Sequence, residues 1–287
     1  MIKNQYKLGK ILGEGAYGHV ILGEHVDDGQ EVAIKIINKK KLIYAKKTKS
    51  PENEKEALLR TSHPCLVSFL DSYQDNLCIY FVFELLPNGS LKEFLDSKPS
   101  VLAIRHVFSQ LLMGISHIHQ NGIIHRDLKP ENIYFDKNYM PKIIDFGSCK
   151  LFDRDDTQKN GFTRGSFVGS VDYISPEVLS GDIVTPSADL WAFGCMLYLA
   201  FTGNAPFYAE TKMQTYQNIE KCHYEIDNKI PNDATDLIER LLVLDAANRI
   251  GFNEEGTNYQ TIRSHAFFNG INWENVLITP YTKNLIQ

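Results

Sequence analysis

The feature that most constrains this chain is a change of hydrophobic period near its first third. Short apolar or alternating runs at 7–12, 19–24, 31–37, 66–72 and 77–83 are separated by turn-formers such as Asp27-Asp28-Gly29. After Pro87-Asn88-Gly89 the apolar spacing becomes helical over 101–121, 186–202, 212–220 and 233–244. Strands first and helices second predict an α+β fold with segregated parts, not alternating βαβ units. The boundary falls at 84–90, giving a small antiparallel β-sheet lobe over 1–86 and a larger, mainly helical lobe over 87–287. One helix is predicted inside the first lobe, at 50–60. There Ser50 can cap, Pro51 suits the first helical position, and Glu52, Glu54 and Glu56 favour the positive end of a helix dipole.

The 287 residues fit one bilobal unit. Composition, at 43% hydrophobic and 23% charged, is that of an ordinary soluble globular protein. A net charge of -5 argues against a nucleic-acid partner, since the lysine-dense stretch at 35–49 is local. The five cysteines, Cys65, Cys78, Cys149, Cys195 and Cys222, form no C-x-x-C pair, which points away from a disulfide framework or zinc site and towards a reducing compartment. The longest apolar run, 190–201, is too short to span a bilayer, and residues 1–10 lack the features of a targeting peptide. A cytoplasmic location without a transmembrane segment is the expectation.

Gly13-Glu14-Gly15-Ala16-Tyr17-Gly18, then Val20, lies between two predicted strands, where glycines let a hairpin backbone approach phosphates closely. Alone this spacing is weak, because dinucleotide-binding folds share it, although there it opens a helix. Val32-Ala33-Ile34-Lys35 puts a lysine on the next strand, with Glu54 on the predicted helix to orient it. His125-Arg126-Asp127-Leu128-Lys129-Pro130-Glu131-Asn132 supplies a carboxylate to receive or orient a hydroxyl proton, and an amide oxygen for Mg²⁺. Asp145-Phe146-Gly147 adds a second carboxylate for the metal, and Ser175-Pro176-Glu177 closes the loop that follows. This ordered set resembles the signature of protein kinases, and implies the bilobal kinase fold, Mg-ATP as phosphoryl donor, and protein hydroxyls as acceptors. Lys129 implies serine or threonine as acceptor, because tyrosine kinases resemble one another in lacking a lysine there. His117 and His119 lack an evident third ligand and read as a helix-end pair.

Residues 165–177, with the stretches at 187–195, 241–251, 265–268 and 273–276, resemble the AGC group of serine/threonine kinases, and within it the 3-phosphoinositide-dependent kinase family. That resemblance covers about residues 6–278. It implies a nucleotide site formed by Leu12, Gly13, Gly15, Gly18, Val20, Ala33, Lys35, Phe83, Glu84, Leu86, Ser90 and Tyr134. Catalytic roles fall to Asp127, Lys129, Lys35 and Glu54, and metal binding to Asn132 and Asp145. It further implies loop phosphorylation at Ser166, with Arg126 and Lys150 as the cations beside it. Other AGC kinases would be the protein substrates, held through a hydrophobic motif in a small-lobe groove. Its apolar wall would be Leu42, Ile43 and Ile79, with Lys39 and Gln74 alongside and a phosphate-binding edge near Lys55 and Ser72. Core packing beneath the helix is the competing reading of Leu42 and Ile43.

The sequence departs from the family in two ways. No lipid-binding domain is expected after residue 278, which leaves indirect membrane recruitment open; an AGC-type tail ending in an aromatic hydrophobic motif is not expected either, which fits the family. Ser90 also occupies the place where relatives usually carry a glutamate that bonds the ribose. The alternatives are another AGC or calcium/calmodulin-type kinase, a small-molecule phosphotransferase, and a scaffold pseudokinase. The last would be expected to have lost Lys35, Asp127, Asn132 or Asp145, and all four are present.

Overall fold

The computed structural model describes residues 2, 5–152, 171–252 and 254–278. Five strands, β1 (Tyr6–Gly15), β2 (Gly18–His25), β3 (Glu31–Asn38), β4 (Phe69–Gln74) and β5 (Cys78–Glu84), form one antiparallel sheet in the order β1-β2-β3-β5-β4. Two helices, α1 (Lys39–Tyr44) and α2 (Ser50–Arg60), lie between β3 and β4. Beyond β5 come α3 (Leu91–Asp96), α4 (Val101–Gln120), β6 (Ile123–Ile124), β7 (Ile133–Phe135), β8 (Pro141–Ile143) and β9 (Lys150–Leu151). Then follow α5 (Pro176–Ser180), α6 (Ser187–Thr202), α7 (Lys212–Lys221), α8 (Asn232–Leu241) and α9 (Gln260–Arg263). The bilobal α+β architecture is therefore as the sequence implies, with the change of texture just after Glu84.

Sheet register follows from alternation. Val32, Ile34 and Val82 are fully or nearly fully buried and join Tyr6 and Ile21 in a core on one face of the sheet. Ile37, Leu42 and Phe81 form a second small core, against which Tyr17, Phe69, Ile79 and Phe83 pack. The helical lobe has one large core, in which Trp191 stacks on Phe207 with ring centroids 5.0 Å apart and Phe108 meets Phe193 edge-on at 5.3 Å. By length and composition α4 could cross a membrane, but 67% of its most apolar window is buried inside the protein, as befits a central core helix.

Several local expectations need correction. The sheet lobe has two helices where one was expected, because the Asn38 side chain accepts the Lys40 and Lys41 amides and starts α1 directly after β3. Ser50 does not cap α2. The cap residue is Lys49, which makes no side-chain cap bond, and the Ser50 hydroxyl is turned elsewhere. The last long helix stops at Leu241 and not at 244, since Leu242 leaves helical geometry (φ -89°, ψ 64°).

Candidate active site

The glycine hairpin joins β1 to β2, with Gly13 opposite Val20 and Gly15 opposite Gly18. Gly18 is demanded by the protein's own packing: a Cβ there would stand 1.7 Å from the Ile36 carbonyl oxygen. Gly13 has no such demand, since its Cβ would meet nothing within 4 Å, and at Gly15 the nearest atom would be the Gly18 oxygen at 3.9 Å. Glycines without an internal steric reason, on a hairpin tip beside Lys35, fit a backbone that must lie against phosphates. Leu12 is exposed, while Val20, Ala33, Phe83, Glu84, Leu86 and Tyr134 are half-buried.

Lys35, on β3 opposite Val20 and Phe81, reaches across to α2 and to the segment after β8. Its Nζ donates to Glu54 Oε1 at 2.6 Å and to Asp145 Oδ1 at 2.7 Å. Burial pulls the lysine down, but the two carboxylates more than offset it and hold the ammonium above its ordinary range. Glu54 is itself buried, at 2% exposure, and burial pushes its carboxyl up while Lys35 pulls it down. The Lys35 ammonium lowers Asp145 to about 2, so this carboxylate is ionised at neutral pH. Asp145 has φ 59°, a left-handed conformation uncommon for aspartate, and Phe146 behind it is buried edge-on to His125 at 5.1 Å.

Asp127 lies on the loop between β6 and β7. Lys129 Nζ lies 3.2 Å from Asp127 Oδ2, and the Asn132 side-chain nitrogen donates to the same oxygen at 3.0 Å and to the Asp127 carbonyl at 2.8 Å. With that nitrogen committed, the Asn132 amide oxygen is the group left to offer a cation. Together with the Asp145 carboxylate it makes a hard, oxygen-only donor set that fits Mg²⁺.

Three findings were not foreseen. Asp189, buried at 1% exposure, accepts the backbone amides of His125 and Arg126 at 2.8 Å each, and a 2.8 Å bond from His119 Nε2. It thereby sets the loop that carries Asp127, while His119 Nδ1 bonds the Tyr259 hydroxyl at 2.5 Å. No local spacing reveals this, because Asp189 and His125 are far apart in the chain. The Ser90 hydroxyl accepts from the Glu93 amide while the Glu93 carboxylate accepts from the Ser90 amide, so Ser90 is a capping-box residue of α3. Arg126 donates through Nε to the Ser148 carbonyl at 2.7 Å and through Nη2 to the Cys149 carbonyl at 3.4 Å. Lys150 is half-buried on β9, and Ser166 lies outside the described residues.

The expected groove is rearranged. Leu42 is 4% exposed and belongs to the core with Ile37 and Phe81, whereas Ile43 is 64% exposed. Successive residues on a helix point about 100° apart, so Leu42 takes the core position of the competing reading while Ile43 faces outward. Ile79 packs on the same core as Leu42. Lys39 Nζ is held by Gln74 Oε1 at 3.1 Å and the Asp75 carbonyl at 2.5 Å, Ser72 is half-buried on β4, and Lys55 is exposed on α2.

A sheet lobe over a helical lobe, with a clamped lysine, an ionised carboxylate and a separate aspartate beside a lysine, defines a nucleotide-dependent phosphotransferase scaffold. The "Protein kinase domain" family model matches residues 6–268, and the chain belongs to that family. The chain is 38% identical over 286 residues to the serine/threonine-protein kinase ksg1 of Schizosaccharomyces pombe, covering 96% of this chain and 47% of that protein. It is 37% identical over 273 residues to the 3-phosphoinositide-dependent protein kinase 1 of Rattus norvegicus, covering 94% and 48%. With the serine/threonine-protein kinase PKH2 of Saccharomyces cerevisiae the identity is 34% over 278 residues, covering 94% and 25%. The chain thus spans about half the length of the first two of these relatives, or less in the third.

Proposed function

We propose that this chain transfers the terminal phosphoryl group of ATP to serine or threonine hydroxyls of protein substrates. The observation that carries the reading is the pairing of Lys35 with Glu54 and Asp145, together with an Asp127 held by Asn132 and Lys129. Lys35 binds and orients the phosphates from the strand side. Asp127 receives or directs the proton of the attacking hydroxyl, and Lys129 offsets charge that builds beside it. Asn132 and Asp145 would hold Mg²⁺, which when bound neutralises phosphate charge. Buffering purified chain with Mg-ATP and paired serine, threonine and tyrosine peptides tests this. Transfer to serine and threonine is the expected result, and transfer to tyrosine alone overturns the acceptor class.

The resemblance supports AGC-kinase activation loops as the substrate class and a hydrophobic motif as the docking element. Of the groove residues, Ile43 is the one whose apolar side chain is freely exposed, so Ile43→Glu is the informative change. It should weaken phosphorylation of a full-length AGC substrate and spare a short loop peptide. Leu42→Glu would instead bury a charge in the sheet-lobe core and lower both. Phosphorylation of Ser166 belongs to the same proposal, and intact-mass analysis against an Asp145→Asn control reads it.

A further inference from the structure

The segment after Asp145 is irregular, and irregular backbone must find partners for its carbonyls away from the usual ladders. Three successive carbonyls here are met by side chains. Arg126 takes those of Ser148 and Cys149, and the Gly147 carbonyl accepts the Ser50 hydroxyl at 2.5 Å. Ser50 is the first residue of α2, the helix that carries Glu54, and the bond crosses a sequence separation of 97 residues. No side chain caps α2; Ser50 is already inside the helix, with Lys49 at the cap position, and its hydroxyl proton is donated to the Gly147 carbonyl. Close by, the Cys149 thiol approaches the Asn53 carbonyl at 3.7 Å, so the first turn of α2 touches this segment at two points.

We propose that Ser50 is a positioning residue, a latch through which the start of α2 holds the Asp145-Phe146-Gly147 segment in the arrangement that keeps Asp145 within reach of Lys35. Gly147 is adjacent to the reacting groups, since a Cβ there would lie 3.1 Å from Asp145 Oδ1, 3.4 Å from Glu54 Oε2 and 3.5 Å from Lys35 Nζ. Fixing its carbonyl therefore fixes the backbone from which the Asp145 carboxylate is presented. The Lys35 to Glu54 pair links helix to sheet, and the Ser50 bond links the same helix to the metal-binding turn. Movement of α2 away from the sheet then breaks both together, which makes the helix and the turn one cooperative unit.

This inference deepens the phosphotransfer reading and rests on it for its consequence, but its test does not need activity. Amide hydrogen exchange of the whole chain, without nucleotide, reads how often the turn opens. The Cys149 amide, bonded to the Phe146 carbonyl at 3.0 Å, is the reporter, and amides of α6 are the remote control. Ser50→Ala should speed exchange across 146–149 by about threefold to tenfold, the factor a single neutral hydrogen bond supplies, and leave α6 unchanged. Ser50→Thr, which keeps the hydroxyl, should exchange like the parent, and Ser50→Cys, a weak donor, should fall between. Exchange at 146–149 unchanged in Ser50→Ala, or rising equally in α6, overturns the latch. Turnover on a serine peptide, measured in parallel, separates the two claims: an inactive parent chain contradicts the phosphotransfer reading, while the exchange pattern decides the latch on its own.

Discussion

The Lys142 ammonium lies 2.9 Å from the Glu84 carboxylate, joining the last residue of the sheet to the strand that leads into Asp145. Lys142 is 6% exposed and also donates to the Leu66 carbonyl at 3.3 Å, while the same Glu84 oxygen accepts the Ser68 amide at 2.7 Å. The pair ties the end of β5 to β8, the strand that precedes Asp145. Lys142→Met strands a half-buried carboxylate that keeps only the Ser68 amide and should cost about 1–3 kcal/mol, with Glu84→Gln/Lys142→Met recovering part of it. Urea denaturation of the parent and the two variants checks this, and a change below about 0.5 kcal/mol for Lys142→Met contradicts it.

Arg249 and Glu177 form a second bridge, with two parallel bonds of 2.7 Å between a fully buried guanidinium and a nearly buried carboxylate. Arg249 also donates to the carbonyls of Val243, Ser187 and Leu244, and its guanidinium sits 4.9 Å from the Trp191 ring centre. Arg249→Leu should therefore cost about 3–5 kcal/mol, with the loss falling on the helical lobe. Thermal unfolding of the pair Arg249→Leu and Glu177→Gln would show the same partner-dependence; additive losses would argue that the two residues act separately.

The acid limb of stability should carry the signature of Asp145. Lys35 depresses this carboxylate to about 2, below its ordinary value of 3.8, so its contribution is complete above pH 4 and is lost as pH falls towards 2. Denaturation midpoints for parent and Asp145→Asn should converge over that window. Parallel curves from pH 5 to pH 2 would mean that the Lys35 contact contributes nothing.

The buried chain from Tyr259 through His119 to Asp189 is structural support for the catalytic loop. Tyr259→Phe removes one hydroxyl from a buried histidine and should lower stability by about 1–2 kcal/mol, with the KM for ATP unchanged. An altered KM at unchanged stability would assign Tyr259 a role in the site itself.

Much of the site was legible because its signals are local. Gly13 to Gly18, Lys35, Asp127 with Lys129 and Asn132, and Asp145 each sit in a short motif whose spacing encodes a turn or a strand. What was not legible depends on partners distant in sequence. Asp189 has no spacing that points to His125, and Ser50 before Pro51 looks like a cap although the helix begins one residue earlier than that reading needs, with Lys49 at the cap position. Leu42 and Ile43 are adjacent apolar residues in a lysine-rich stretch, and only the rotation of α1 decides which is core. The helix itself carried a readable signal in Asn38, a good N-cap directly after a strand. The activation segment around Ser166 lies outside the described residues.

In the proposed reaction Asp127 directs phosphoryl transfer to an aliphatic hydroxyl. Initial rates of transfer from Mg-ATP to a serine peptide, compared between the parent chain and a folded Asp127→Asn variant, test it most directly. Measurable parent turnover is expected, with a fall in kcat of about 10²–10⁴-fold in the variant and ATP binding retained. Parent-like turnover in Asp127→Asn would contradict it.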